Sequence, residues 1–330
     1  MALLLTRADV ERVLTMKEAI SAVEDGLIQL ALGRAIMPQR TAIRMTDLHG
    51  LHLGMPAYIP GAGGDPGTLA LKVVTVYPDN PTRHDLPTTI GTILLNDALT
   101  GRLVSIMDAG YLTAMRTGAA SGVATKYLAR ADSRSVGVFG AGAQARAQLA
   151  GVCAVRPIER AVVWDPRDEA RERFAREMSA SLGIRVAAAS GADDCLAADI
   201  LALATSSTTP IFDGRKLRPG THVNAIGAHA PAHRELDGEA VRRATVIADY
   251  KPACLAEAGD LLLAIQEGAI TEDCVRASIG EIAAGKKPGR TSADEITIFK
   301  SVGLAVEDVA TAGRVYALAR AAAIGREVET

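Results

Sequence analysis

The sequence predicts an α/β protein with two parts, a doubly wound parallel sheet and a separate α+β unit. Strands that alternate with helices follow about Thr113, whereas short strands broken by turn residues fill the region before about Val104. A glycine-rich turn at Gly140 lies directly after a short apolar strand. At 330 residues the chain is long enough for about two domains.

The first part begins with a helix and continues as a sheet. The stretch TMKEAISAVEDGLIQLALGRA has Thr15 three residues before Glu18, the spacing of a capping box, and keeps apolar residues at helical intervals until Gly33. Short β-forming runs such as LALKVVTVY and TIGTILLND follow, separated by Gly, Pro, Asn and Asp. We therefore expect a mainly antiparallel sheet there.

The second part begins with the helical stretch TAMRTGAASGVATKYLAR. The strand SVGVFG comes next, and the further strands VVWD, DILALAT, THVNAIG and TVIADY alternate with helical segments. Such alternation predicts right-handed βαβ units. The last segment, DVATAGRVYALARAAAIG, predicts a helix that no strand follows and that returns to pack on the first part. We expect one domain from residues 1–112 with 305–330 and another from 113–304.

Charge and cysteine content narrow the class of protein. The net charge is −2 with no basic run, so no electrostatic footprint for nucleic acid or anionic membrane exists, and the ligand is expected to be small. No apolar run approaches the roughly 18 residues that cross a bilayer. The cysteines form no CxxC or metal-type spacing and are interpreted as buried residues of a cytoplasmic protein. These cysteines are Cys153, Cys195, Cys254 and Cys274.

The stretch SVGVFGAGAQARAQLAG predicts a dinucleotide site. Gly140, Gly142 and Ala145 form a G-x-G-x-x-A pattern between a strand and a helix, typical of Rossmann-type folds. The next strand, AVVW, leads to Asp165, whose carboxylate is suited to the ribose hydroxyls of NAD. Arg167 is suited to the 2′-phosphate of NADP, so NAD is favoured and NADP stays possible. A glycine turn that binds nothing is the alternative interpretation.

Three cations are candidates for binding a substrate carboxylate. They are Arg44, Lys72 and Arg116, and each taken singly is more often an ordinary surface residue. Lys72 stands out because it interrupts the apolar run LALKVVTV, which predicts partial burial and a lowered pKa.

The stretch GAHAPAHREL places His229 and His233 four residues apart around Pro231. A metal pair at this spacing requires a helix, which Pro231 disfavours, so we predict no metal site. His229 is expected to be catalytic or, alternatively, a structural hydrogen-bonding residue.

Nearly the whole chain resembles the ornithine cyclodeaminase/μ-crystallin family, which includes cyclodeaminases, archaeal-type alanine dehydrogenases and ketimine reductases. The matching stretches are MPAYIP, LALKVVTVYPDNP, LPTTIGTILLND, LTAMRTGAASG, FGAGAQA, NAIGAHAP and EITIFKSVGLAVEDVA. The resemblance implies a homodimer. It also implies that the first domain carries substrate and dimer contacts, and that a Rossmann dinucleotide-binding domain is inserted in it.

The resemblance also implies roles for individual residues. Arg44 and Arg116 match the arginines that hold a substrate carboxylate, Lys72 matches the lysine beside the reacting carbon, and Val302 matches a substrate contact. The cofactor contacts implied by the resemblance and by the glycine pattern are Thr88, Gly140, Gly142, Ala143, Gln144, Asp165, Thr205, Ala225, Ile226, Gly227 and Ser301. Arg116, Arg167 and His233 are further predicted cofactor contacts.

The chain departs from much of this family at His229, where cyclodeaminases and archaeal-type alanine dehydrogenases carry an aspartate. A histidine supplies no anion for the distal ammonium of a diamine, but it can protonate an imine nitrogen. We therefore expect a reductase of a cyclic ketimine, Δ1-pyrroline-2-carboxylate or Δ1-piperideine-2-carboxylate, or an alanine-dehydrogenase-like enzyme. The alternatives are an ornithine or lysine cyclodeaminase that uses NAD catalytically, and a μ-crystallin-like NADPH-binding protein.

Overall fold

Two units make up the chain in the computed structural model, which describes residues 1–329. The first unit consists of Met1–Arg116 and of the described residues from Leu304 onward. The second unit is Thr117–Gly303. One long helix, Gly110–Leu128, carries the chain from the first unit into the second.

Strands and helices follow one another in the order that the sequence patterns suggest. The strands are β1 Ala2–Leu5, β2 Thr41–Met45, β3 Gly50–Ile59, β4 Thr68–Val76, β5 Thr89–Asn96, β6 Leu103–Asp108, β7 Ser135–Phe139, β8 Arg160–Trp164, β9 Arg185–Ala188, β10 Ile200–Leu203, β11 His222–Ala225, β12 Thr245–Ala248, β13 Val275–Ser278, β14 Thr297–Lys300 and β15 Arg326–Val328. The helices are α1 Arg7–Val13, α2 Met16–Ala31, α3 Asn80–Arg83, α4 Gly110–Leu128, α5 Ala143–Val155, α6 Asp168–Leu182, α7 Gly238–Arg243, α8 Lys251–Glu257, α9 Gly259–Gln266, α10 Ile279–Ala283 and α11 Ala305–Ala321.

The first unit is built on a seven-stranded sheet in the order β15-β1-β6-β5-β4-β3-β2. All neighbouring strands are antiparallel except β1 and β6. Helices α2 and α11 pack together, and α11 covers β3 and β4. The two helices approach closely at Gly26, where a Cβ would lie 3.0 Å from the Cβ of Ala310.

The two faces of this sheet differ in burial. One cross-strand row joins Met55, Lys72, Ile93 and Met107, and all four side chains are buried. The opposite face carries half-buried and exposed apolar side chains, including Ile43 at 62% exposure. Lys72 is therefore held in an apolar row of the covered face.

The second unit is an eight-stranded parallel sheet in the order β13-β12-β14-β11-β10-β7-β8-β9. The chain runs outward from β7 to β9 on one side and from β10 on the other, so the direction of winding reverses between β7 and β10. This reversal is the topological switch point, where α/β sheets bind ligands beyond the carboxyl ends of their strands. The Rossmann-type doubly wound fold expected from the sequence is confirmed.

Both faces of the parallel sheet are covered, which explains why its strands are apolar throughout. Along β10, Ile200 and Ala202 pack into one core with α5 and α6, while Leu201 and Leu203 pack into another. Helices α4 and α5 touch through glycines, because a Cβ on Gly118 or on Gly151 would overlap backbone carbonyls of the other helix at 2.2 and 2.1 Å.

Several local expectations need correction. The C-terminal helix is followed by β15, which pairs with β1, because three residues on a sheet edge are too few to show a pattern. Helix α2 ends at Ala31, and its capping box is only half formed: Thr15 accepts from the Glu18 N–H at 3.2 Å, but the Glu18 carboxylate pairs with Arg314.

The cysteines are less uniform than expected. Cys195 and Cys254 are buried, whereas Cys153 and Cys274 are half-buried. All four are free thiols, and burial raises the pKa of Cys153 and of Cys195 to about 12. Within residues 1–329, no helix has the length and apolar character to cross a membrane.

Candidate functional site

The glycine turn after β7 has the backbone that a dinucleotide site requires. Gly140 has φ +95°, a backbone conformation that favours glycine. A Cβ there would also lie only 2.6 Å from the carbonyl oxygen of Ala204, so both the backbone and the packing exclude a side chain. Gly142 caps α5 and is exposed, with open space where a Cβ would stand. A phosphate group can therefore approach the N-terminus of α5 closely. Ala145 is fully buried, as the packing of helix on strand demands.

Asp165 lies directly after β8 and ties the glycine turn to the neighbouring strand. Its Oδ2 accepts from the Ala141 N–H at 3.0 Å, and its Oδ1 accepts from the N–H and Nε of Arg167, each at 3.1 Å. Burial opposes ionisation, but these hydrogen bonds outweigh it and lower the pKa of Asp165. The Arg167 side chain is 74% exposed, so it reaches outward from this carboxylate.

Two further residues near the turn match a dinucleotide site. Ala143 is exposed at the start of α5. The amide oxygen of Gln144 is buried and has no hydrogen-bond partner among residues 1–329. A buried acceptor of this kind is costly unless a ligand or water satisfies it, so the turn fits a bound dinucleotide.

The next strand ends are joined by Glu235. Its Oε1 accepts from the Thr205 N–H at 2.7 Å and from the Thr205 hydroxyl at 2.8 Å, while its Oε2 accepts from the Gly227 N–H at 2.8 Å. Thr205 follows β10, and Gly227 follows β11 after the buried residues Ala225 and Ile226. The Glu235 carboxylate thus binds both the segment after β10 and the segment after β11, which the sequence predicts as cofactor contacts.

Glu235 belongs to a larger buried network of charges. Asp260 Oδ1 accepts from the Glu235 N–H at 2.6 Å, and Asp260 Oδ2 lies 2.7 Å from the Lys300 ammonium. Burial and the neighbouring Asp260 raise the pKa of Glu235 to about 7, although Lys300 opposes the shift. Burial lowers the pKa of Lys300, but Asp260 and Glu235 outweigh it and raise that pKa.

A second carboxylate holds the segment after β14. Asp249 Oδ2 accepts from the Ser301 hydroxyl at 2.8 Å, the Val302 N–H at 2.8 Å and the Gly303 N–H at 2.9 Å. Ser301 and Val302 are themselves buried, and the Ser301 N–H donates to the Ala225 carbonyl at 3.1 Å. The FKSVG segment is therefore fixed, and adjacent to the segment that ends at Gly227.

The two histidines differ in exposure. His229 is exposed, and its Nδ1 lies 2.9 Å from the Gly227 carbonyl oxygen. Because that oxygen only accepts, Nδ1 carries a proton in this contact. His233 is half-buried, and its backbone N–H donates to Ala230.

Lys72 and Arg116 meet in the first unit through two acidic residues of α11. The Lys72 ammonium lies 2.7 Å from Asp308 Oδ2. Arg116 reaches Glu307 with Nη1 at 2.6 Å and Asp308 with Nε at 2.9 Å. All four side chains are buried, and both carboxylates lie in the first turn of α11, where the helix dipole stabilises negative charge.

The Lys72 ammonium is destabilised despite its partner. Burial and the positive charge of Arg116 lower the pKa of Lys72 to about 8, while Asp308 acts in the opposite direction. A lysine in this range can release or take up a proton near neutral pH.

Two further predicted residues, Arg44 and Thr88, belong to the first unit. Arg44 is exposed on the edge strand β2 and takes no part in the ion pairs of Lys72 and Arg116. Thr88 is half-buried before β5, and its carbonyl accepts from the Tyr77 N–H at 2.8 Å.

Sequence reasoning missed the acidic partners of the site, Glu307, Asp308, Glu235, Asp249 and Asp260. A usable signal was present for two of them, because VEDV places adjacent acids in an apolar helical stretch, as LALKVV places a lysine in an apolar strand.

Known proteins resemble the chain over its full length. A model of the ornithine cyclodeaminase/mu-crystallin family matches residues 1–323. Alanine dehydrogenase of Archaeoglobus fulgidus is 38% identical, with 99% of this chain and 98% of that protein covered.

Solved structures give the same result. That of Thermococcus litoralis Δ1-pyrroline-2-carboxylate reductase in complex with NADH and L-proline is 45% identical with a TM-score of 0.95, covering 99% of this chain and 100% of that one. An archaeal alanine dehydrogenase dimer with bound NAD is 36% identical with a TM-score of 0.92, covering 99% of both chains. The protein therefore belongs to the ornithine cyclodeaminase/mu-crystallin family.

Proposed function

We propose that the protein is an NAD(P)-dependent oxidoreductase acting at the α-carbon of a small imino or amino acid. Its principal reaction is the reduction of a cyclic ketimine, Δ1-pyrroline-2-carboxylate or Δ1-piperideine-2-carboxylate. The observation that carries the proposal is the pairing of Gly140, at positive φ on the switch point, with Asp165 at the end of the next strand. The 45% identity to a Δ1-pyrroline-2-carboxylate reductase supports this choice of substrate.

The second unit, residues 113–304 in the predicted division, is the proposed dinucleotide-binding domain. Gly140, Gly142, Ala143 and Gln144 would hold the pyrophosphate, and Asp165 the adenosine ribose. Because the Asp165 carboxylate is ionised, it disfavours a 2′-phosphate, so NAD is the proposed cofactor. Arg167 is exposed enough to offer that phosphate a charge-assisted contact, which keeps NADP possible.

The first unit is the proposed substrate domain. Lys72 and Arg116 would bind the substrate carboxylate, Arg116 through two parallel N–H donors. Glu307 and Asp308 already balance the charges of these two cations, so the carboxylate has to share them. A bidentate grip fixes the α-carbon in place. When bound, a nicotinamide cofactor would supply hydride chemistry at this carbon.

The imine nitrogen needs a proton, and two groups can supply it. Lys72 is buried with a pKa of about 8, so its ammonium gives up a proton more readily than an ordinary lysine. The His229 ring contacts the Gly227 carbonyl through Nδ1, and Nε2 also becomes a donor when the ring is protonated. We propose both as catalytic residues, with Lys72 as the main donor.

A homodimer fits the uncovered face of the first unit's sheet. Leu71, Leu94 and Ile106 form a half-buried cross-strand row there, and Ile43 and Ile90 are 62% and 43% exposed. An apolar face of this kind marks an interaction site. A second copy of this chain is the proposed occupant, since an archaeal alanine dehydrogenase of similar structure is a dimer. We also propose a cytoplasmic location, which the four free thiols support.

The test is NADH consumption across a panel of substrates. We expect stoichiometric NADH loss with either cyclic ketimine, with ornithine as the redox-neutral control. Ammonia release from ornithine without net NADH change would show a cyclodeaminase instead. Tight NADPH binding without turnover on the whole panel would show a binding protein.

A second candidate is reductive amination of a 2-oxo acid such as pyruvate. The 38% identity to an alanine dehydrogenase favours it. Pyruvate with ammonia in the same assay separates the two, because a ketimine reductase should consume little NADH with that mixture.

A further inference from the structure

The loop that carries both histidines is closed by Glu235. The loop begins at Gly227, whose N–H donates to Glu235 Oε2 at 2.8 Å, so its two ends are tied by one hydrogen bond. A Cβ on Gly227 would lie 2.5 Å from Glu235 Oε1 and 2.4 Å from the Thr205 carbonyl oxygen. The packing around this carboxylate therefore leaves no room for a side chain at Gly227.

The same carboxylate reaches the neighbouring strand end. Thr205 donates both its N–H and its hydroxyl to Glu235 Oε1. Thr205 and Gly227 follow β10 and β11, which lie on the opposite side of the switch point from Asp165. In a doubly wound dinucleotide fold, one half of the sheet binds the adenosine end and the other half binds the second nucleotide.

A buried ionic network is weak evidence for stability, because desolvation offsets much of its attraction. Here Glu235 is fully buried and its backbone is held by Asp260, which pairs with Lys300 at 2.7 Å. The network converges on the carboxyl ends of β10, β11 and β14, the edge at which the proposed cofactor binds.

We infer that Glu235 is a positioning residue for the nicotinamide end of the bound dinucleotide. It acts by fixing the backbone of Thr205 and Gly227 and the base of the loop that presents His229. The adenosine end, at Gly140 and Asp165, does not depend on it. This inference rests on the proposed function.

The test compares NADH with ADP-ribose, which lacks the nicotinamide, in Glu235→Gln. The amide keeps the shape of the side chain, but its NH₂ group cannot accept a hydrogen bond, so either the Thr205 arm or the Gly227 arm is lost. We expect the Kd for NADH to rise about tenfold and the Kd for ADP-ribose to stay within about twofold. Both are measured by titration calorimetry on the purified full-length protein.

Asp199 offers a matched control at the amino ends of β7 and β10, opposite the carboxyl ends that Glu235 joins. Its Oδ2 accepts from the N–H groups of Arg134 and Ser135 and from the Ser135 hydroxyl, and its Oδ1 pairs with Arg130 at 2.7 Å. Asp199→Asn should lower the Tm but leave both Kd values unchanged.

If Glu235→Gln does not fold, two substitutions of Thr205 still test the inference with a smaller change to the site. Thr205→Val removes the hydroxyl that donates to Glu235 and accepts from the Ser207 N–H, and it should raise the Kd for NADH about threefold. Thr205→Ser keeps that hydroxyl and should restore the Kd. ADP-ribose binding should not respond in either variant.

Equal weakening of both ligands in Glu235→Gln, or no weakening of NADH, would overturn the inference. If the wild-type protein binds ADP-ribose and reduces the ketimine, and Glu235→Gln behaves in the same way, the role of Glu235 is refuted. The proposed function is then unaffected. Wild-type protein that binds neither ligand would overturn the proposed function, and the inference with it.

Discussion

Two buried lysines, one in each unit, form ion pairs of the same length, but the charges around the two ion pairs differ in sign. Lys72 lies 2.7 Å from Asp308, and Lys300 lies 2.7 Å from Asp260, with all four side chains 2% exposed or less. The further charges of the clusters differ, because Arg116 with its partner Glu307 accompanies Lys72, whereas Glu235 accompanies Lys300. Burial lowers the pKa of Lys72 to about 8 with the help of Arg116, whereas two carboxylates raise the pKa of Lys300.

The difference shows that the sign of the next charge, and not the ion pair itself, decides what a buried lysine can do. Lys300 stays charged over the whole physiological pH range and holds a structural network. The lowered pKa of Lys72, about 8, suits its proposed role as a proton donor. We therefore expect the two lysines to respond differently to replacement.

The largest expected effect is the loss of stability in Lys300→Met. The change leaves Asp260 and Glu235 buried without a cation, which should lower the free energy of unfolding by about 3 to 5 kcal/mol. Lys72→Met should lower it by less, because Arg116 still pairs with Asp308 at 2.9 Å. Urea unfolding of both variants checks this, and equal losses would contradict the distinction.

Lys72→Met should instead have the larger effect on catalysis. Loss of the proton donor should reduce kcat for ketimine reduction by about 100- to 1000-fold. The Kd for NADH serves as the internal control and should stay near the wild-type value. A variant with near-normal kcat would transfer the role of donor to His229, whose replacement by Asn would then abolish turnover.

Arg116→Lys tests the carboxylate grip while keeping the positive charge. A lysine has no planar fork, so the KM for the imino acid should rise about tenfold. The Kd for NADH should change far less. An equal change in both constants would contradict the assignment of Arg116 to the substrate carboxylate.

The pH profile tests the charges that face Lys72, which are Arg116, Glu307 and Asp308. Only the ammonium form donates a proton, so kcat/KM should fall as the pH rises through about 8. Asp308 favours the ammonium, so Asp308→Asn should move this falling limb toward lower pH by about one unit. Asp199→Asn is the control, in which the falling limb of kcat/KM should stay at the wild-type pH. If the limb also stays there in Asp308→Asn, the role of Lys72 is contradicted.

The smallest effect is expected at an exposed ion pair of similar length. Arg314 lies 2.6 Å from Glu18, with both side chains about a third or more exposed. Arg314→Gln should lower the free energy of unfolding by only about 0.2 to 1 kcal/mol. Urea unfolding beside Lys300→Met then measures how much burial adds, and a comparable loss would show that it adds little.

The parts of the site that depend on local pattern were predictable. Gly140 was predicted because a tight turn between a strand and a helix needs glycine, and the structure gives it φ +95°. The burial of Lys72 followed from the apolar strand around it, and the structure buries it completely. The short strand β15 and the half-formed cap at Thr15 were not predicted, because pairing partners elsewhere in the chain decide both.

The sequence by itself determined the fold class and the glycine turn, because both follow from the pattern of neighbouring residues. It also showed that a histidine, His229, stands in the loop after β11. The tertiary structure alone decided which charges meet. Glu307 is 191 residues from Arg116 along the chain, and Asp260 is 40 residues from Lys300. Electrostatic energy depends on distance in space and on burial, so the pKa values that separate Lys72 from Lys300 exist only once the chain has folded.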